Sequence, residues 1–119
     1  MKANKYHAKK ITVDGQTFDS RKEYLRFKEL ELLERSGKIQ NLKRQVEYML
    51  LPSQFGMEVD ENGRRKRVCW ERAARYVADF TYTENGQFIA EDCKGFRTKD
   101  YILKRKMMLY FFNIRIRET

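Results

Sequence analysis

Residues 75–95 read RYVADFTYTENGQFIAEDCKG, and this stretch decides how the rest of the chain is assembled. Two runs rich in β-branched and aromatic residues meet at Asn85-Gly86, the dipeptide favoured where a two-residue turn needs positive φ at both central positions. With those residues as the turn, Phe80 faces Glu91, Asp79 faces Asp92 and Val77 faces Lys94. Side chains alternate along a strand. Asp79, Asp92 and Lys94 are therefore expected on one face, with Phe80, Tyr82, Ile89, Glu91 and Cys93 on the other.

Like charges directly opposed on adjacent strands, with Cβ atoms about 4.5–5.5 Å apart, destabilise a sheet, and placing them there suits the binding of a cation. Two hard oxygen donors fit Mg²⁺ or Mn²⁺. Lys94 is two residues beyond Asp92, about 7 Å along the strand, where an ammonium can stabilise developing negative charge or orient a water. These groups suit metal-assisted phosphodiester hydrolysis. The competing reading is a half-exposed hairpin whose acids are merely solvated. Asp92-Cys93-Lys94 is the only acid-x-Lys triplet in the chain, and its partner strand carries the opposing acid.

Asp79 followed by Asp92-x-Lys94, with an acidic helix upstream, resembles the PD-(D/E)xK nuclease superfamily, although Ala78 stands where the motif is named for proline. The segments NKYHAKKITVDGQTFDSRKEYLRFKELELLERSGKIQNLKRQ, YVADFTY, EDCKG and TKDYILKRKMM are similar to a family of small phage and prophage proteins assigned to that superfamily, and the likeness covers residues 4–118. It implies an α/β restriction-endonuclease-like core with a central mixed sheet flanked by helices. The activity it implies is a Mg²⁺-dependent, structure-specific DNA endonuclease resembling Holliday junction resolvases, in the cytoplasm of a bacterial host.

Composition is consistent with that expectation. A chain of 119 residues is expected to form one domain, large enough for a single core. Lys and Arg number 26 against 17 Asp and Glu, a net charge of +9, which favours a polyanionic partner. A basic protein without such a partner is the alternative. No apolar run is long enough to span a membrane and no signal-like segment opens the chain. Cys69 and Cys93 match no zinc or redox spacing and are expected as reduced, packed thiols. His7 is the sole histidine, which removes His-dependent nucleases and Ser-His or Cys-His nucleophiles from consideration.

Residues 1–19 form a basic arm, with a short hairpin expected about Asp14-Gly15. A helix from about Arg21 to Ser36 follows, capped by Asp19 or Ser20 and closed by Gly37, then a strand over 41–51 ending at Pro52. Residues 53–67, which include Asp60 to Arg67 as DENGRRKR, are expected as a mobile loop or exposed hairpin tip. After the hairpin, Thr98 is a candidate N-cap for a helix to about Phe111, and Ile114 to Arg117 alternate as a short strand. A strand, a helix and a strand imply a parallel crossover. The expected order is α-β-β-β-α-β.

Glu23 has two readings. In Ser20-x-x-Glu23 it completes a capping box by reaching back to the Ser20 N–H, whereas the resemblance makes it a metal-site acid on the first helix, with Asp19 as its rival. The resemblance also singles out Lys104, on a face with Tyr101 and Met108, while Ile102, Met107, Leu109 and Tyr110 are expected on the better-buried side. Gln45 is a supporting candidate. Lys9, Lys10, Arg64, Arg65, Lys66, Arg67, Lys104 and Lys106 are candidate phosphate contacts. Trp70 is read as packing or as stacking on a base, and the Tyr110-Phe111-Phe112 run as core or a dimer face.

The resulting expectation is a single-domain endonuclease in which Asp79, Asp92 and Glu23 hold Mg²⁺ or Mn²⁺ and Lys94 positions water. Its partners would be branched or junction DNA and, because paired cuts need two-fold symmetry, a second copy of the chain. A non-catalytic nucleic-acid-binding module and a sequence- or mismatch-directed nickase are the alternatives.

Overall fold

The computed structural model describes residues 9–93 and 96–119. Its first hairpin, β1 (Ile11–Val13) and β2 (Gln16–Phe18), turns at Asp14-Gly15, both at positive φ. Helix α1 (Arg21–Arg35) follows, then β3 (Ile39–Leu51), β4 (Gln54–Val59), β5 (Arg65–Glu71), β6 (Ala74–Glu84), β7 (Gln87–Asp92), α2 (Lys99–Phe112) and β8 (Arg117–Glu118). The four-stranded sheet runs β3-β6-β7-β8, antiparallel except for the parallel β7–β8 pair. The protein is thus α/β with a mixed sheet and two helices. No helix among the described residues is long and apolar enough to cross a membrane.

The Asn85-Gly86 turn has φ of 51° and 77°, and β6 and β7 pair in the expected register from Glu84↔Gln87 to Phe80↔Glu91. Other local signals hold too. Ser20 Oγ accepts from the Glu23 N–H at 3.1 Å, Gly37 follows α1 with φ 81°, and Thr98 Oγ1 caps α2 by accepting from the Tyr101 N–H at 3.0 Å.

β3 shifts register against β6 between Gln40 and Lys43 and between Met49 and Leu51, and strict alternation also fails within β6. Glu91 accepts from Tyr82 Oη, and its neighbour Asp92 accepts from Tyr76 Oη. Neighbours on a strand point to opposite faces, so Tyr76 and Tyr82 must do so as well, although they are six positions apart, an even offset. Phe80 and Tyr82 pack with Leu30 and Phe27 of α1, whereas Tyr76 and Ala78 pack with Tyr101 and Met108 of α2. The inversion lies at Asp79. Between the pairs Arg44↔Phe80 and Val46↔Ala78 stands Gln45 of β3, held at φ 53°, and β3 inverts there too: Leu42 joins the α1 cluster and Tyr48 the α2 cluster. One left-handed residue lets a single sheet offer one face to α1 and the other to α2.

Four expectations change. Of the two expectations for residues 53–67 the loop is replaced by the hairpin: β4 and β5 form a two-stranded sheet of their own, longer than a tip, with a turn around Asp60 to Arg64. On α2 the buried side carries Tyr101 and Met108, while Leu109 and Tyr110 are exposed. The C-terminal half of that helix is apolar all round, so periodicity could not choose a side. The last strand is Arg117–Glu118, with Ile114 and Ile116 packing before it begins. Cys69 is exposed on β5 and only Cys93 is partly covered.

Candidate metal centre

The site is assembled where α1 begins and where β6 inverts. Ser20 starts the helix, and Glu23 on its first turn points inward, 2% exposed. Its Oε2 accepts from the Asp19 N–H at 3.0 Å, so the reciprocal cap reaches Asp19 and not the Ser20 N–H. Glu23 Oε1 lies 3.4 Å from Gln45 Nε2, and Arg44 Nη2 stands 3.7 Å from Oε2. Capping and a place among the acids are therefore compatible for Glu23.

Carboxylate oxygens of Asp19, Glu23 and Asp79 lie within 4.8 Å of one another. Asp19 joins Glu23 and does not replace it. Asp79 Oδ2 accepts from the N–H of Cys93, the residue after Asp92, at 2.8 Å. Burial first, and the Glu23 carboxylate next, push Asp79 up to about 7, against the pull of the Cys93 N–H. Asp79 thus stands with the helix acids at the point where β6 inverts.

Asp92 is buried and accepts from Tyr76 Oη at 2.6 Å. Burial, with the Asp92 charge second, drives the Tyr76 phenol far up and fixes it as a donor. The period-two reading hid Tyr76, since it placed this tyrosine on the face opposite Asp92. The buried Glu91, next in sequence, is held by Arg26 through 2.7 and 2.9 Å contacts and by Tyr82 Oη at 2.5 Å. That carboxylate is fully engaged in tying α1 to β7. Cys93 is pushed up to about 11, chiefly by burial, and remains a thiol.

Lys94 lies outside the described residues. Lys104 pairs with Asp100 at 3.5 Å on α2, and Lys106 is exposed on the same helix. Lys9, Lys10, Arg64, Arg65, Lys66 and Arg67 are all exposed. A cavity beside the first turn of α1 is lined by Arg21, Lys22, Arg26, Cys93 and Thr119.

The donor set is carboxylate oxygen throughout, which is the chemistry of a hard divalent cation. Gln45 offers Glu23 an amide donor from a backbone conformation unfavourable to non-glycine residues by about 1–2 kcal/mol. Gln45→Gly is expected to leave thermal stability unchanged or raise it by about 0.5–1 kcal/mol. If Gln45 holds Glu23 in place, the same change slows any reaction run by these acids about tenfold. Paired melting curves and rates check it: a large loss of stability would mean that the amide contact outweighs the backbone strain.

The model of the family described as Protein of unknown function (DUF1064) matches residues 3–118, and the chain belongs to that family. No curated protein and no solved structure matches it.

Proposed function

We propose that this member of the DUF1064 family is a metal-dependent DNA endonuclease with a restriction-endonuclease-like core, structure-specific in the manner of junction resolvases. The observation that carries the reading is the gathering of Asp79 with Asp19 and Glu23 where β6 inverts, with Asp79 tied to the N–H of Cys93, the residue after Asp92. Carboxylates held this close repel unless a proton or a cation intervenes. Burial first, and the Glu23 carboxylate second, raise the affinity of Asp79 for a proton.

Asp79, Asp92 and Glu23, with Asp19 beside them, are the residues that would hold Mg²⁺ or Mn²⁺. A divalent ion bound there would neutralise the acids and polarise a phosphodiester oxygen. Tyr76 orients Asp92, the Cys93 N–H and Gln45 orient Asp79 and Glu23, and burial keeps competing water from these carboxylates. Arg21 and Lys22 line the adjoining cavity, beside the Arg26–Glu29 pair, and suit a phosphate backbone. Lys94, directly after Cys93, would stabilise charge developing on phosphate. The exposed Leu103, Leu109, Tyr110 and Phe111 of α2 support a homodimer.

Incubation of the protein with branched, duplex and single-stranded DNA, with and without Mg²⁺, tests the reading. Mg²⁺-dependent cuts, strongest on branched DNA, are expected, and Lys94→Ala should slow them by about 10²-fold while leaving affinity within a few fold. DNA bound but uncut under every metal condition would make the protein a binding module. Equal loss of binding and cleavage in the Lys94 variant would make that lysine a phosphate contact.

A further inference from the structure

The ribbon β4–β5 has no buried face. Its register sets Phe55 opposite Cys69, Met57 opposite Arg67 and Val59 opposite Arg65, and directly opposed residues share a face. Phe55, Met57 and Val59 are 45%, 51% and 66% exposed. The Arg67 guanidinium lies over the Phe55 ring, 3.8 Å from its centroid. The other face carries Glu58, Lys66 and Trp70, whose indole N–H donates to Glu58 at 2.9 Å. The indole crosses Gly56 so closely that any Cβ there would overlap it. Trp70 is thus engaged within the ribbon, and the face with Phe55 is the one left open.

An isolated two-stranded ribbon is marginal in water, and three exposed apolar side chains in a row call for a partner. Charge selects which. Glu58 is on the far face, and Asp60 is occupied at the tip, accepting from the N–H groups of Asn62 and Arg64 at 2.9 Å. Arg65 and Arg67 therefore share their face with no acid except Glu71 at its base. A second copy docking by the same face about a two-fold axis would bring these arginines toward their own counterparts. A polyanion would instead be matched by them. Phosphates, however, gain nothing from Phe55, Met57 and Val59, whereas base faces do.

We infer that the Phe55–Met57–Val59 face of the ribbon docks on DNA with unstacked or unpaired bases, Arg65 and Arg67 holding the flanking phosphates. A two-stranded ribbon is narrow enough for a groove. Asp79 lies five residues along β6 from Ala74, where the ribbon rejoins the sheet, a span of about 17 Å. This inference rests on the reading of the protein as a DNA nuclease and assigns to the ribbon the recognition of disrupted base stacking.

Binding is measured on the full chain in EDTA, so that cleavage plays no part, with labelled four-way branched, single-stranded and fully paired oligonucleotides. A Phe55→Ser, Met57→Ser variant should bind branched and single-stranded DNA at least about tenfold more weakly, with duplex affinity changed by less than about threefold. An Arg65→Gln, Arg67→Gln variant should weaken all three and reduce the salt slope by up to about 2. Both pairs are exposed, so unchanged melting temperatures are expected. Equal losses on all three DNAs in the serine variant, no loss on any, or a shift from dimer to monomer in sedimentation with binding intact would overturn the inference. Cleavage by the parent is assayed separately. The expected binding pattern in a protein that never cuts would remove the nuclease reading and leave this one standing.

Discussion

If the protein is the proposed nuclease, Asp79→Asn is expected to cleave DNA about 10³-fold more slowly than the parent and, in metal-free buffer above about pH 7, to melt about 5 °C or more higher. Both effects have one cause. The folded protein raises Asp79 from 3.8 to about 7, through burial and the Glu23 carboxylate. Between those values the folded state holds a proton that the unfolded chain has released, so stability falls as pH rises and the full penalty remains above the upper value. Asparagine removes the charge while its side-chain oxygen still accepts from the Cys93 N–H. The same substitution takes one negative oxygen donor from a cation. Melting curves across this range check the first half: the parent should lose stability toward neutral pH, the variant much less, and added Mg²⁺ should restore the parent. A parent whose melting temperature rises steadily from acid to neutral pH would show that Asp79 is not held against its charge.

Glu23→Gln has an expected effect nearly as large, and it separates two roles of one side chain. Glutamine serves a capping box almost as well as glutamate, and the Asp19 N–H needs only an oxygen acceptor. Stability should stay within about 0.5–1 kcal/mol of the parent. Cleavage should fall by about 10² or more, because a neutral amide lacks the charge that a hard cation requires. Ser20→Ala should do the reverse, costing about 1 kcal/mol with activity retained, since Ser20 Oγ accepts only from the Glu23 N–H. Denaturant melts and cleavage rates on the two variants decide it. A Glu23→Gln protein that cuts at the parental rate would reduce Glu23 to a helix cap.

Short-range chemistry was the legible part of this fold. Asn85-Gly86 and Asp14-Gly15 need positive φ and take it, Ser20 and Thr98 cap the helices they precede, and the parallel β7–β8 pair follows from strand, helix and strand. Of the candidate acids, Glu23 and Asp79 lie together with Asp19. What escaped was the inversion at Gln45 and Asp79, because a period of two assumes an uninterrupted strand and a glutamine at φ 53° carries no local signature. Tyr76 escaped with it. The ribbon was legible only as the hairpin-tip alternative. Asn62-Gly63 repeats the turn signal of Asn85-Gly86 and Phe55, Met57 and Val59 alternate on β4, but Arg64 to Arg67 is a run of charge that masks the start of β5. On α2, the apolar residues from Met107 to Phe112 surround the helix, and only packing shows that Met108 is the buried one.

The central claim is that these carboxylates form a cation site, and calorimetric titration of Mn²⁺ into the parent and into an Asp79→Asn, Glu23→Gln double variant tests it most directly. The site at the sheet inversion predicts saturable uptake by the parent and its loss in the folded double variant. Undiminished uptake by a double variant that melts cooperatively would contradict the account.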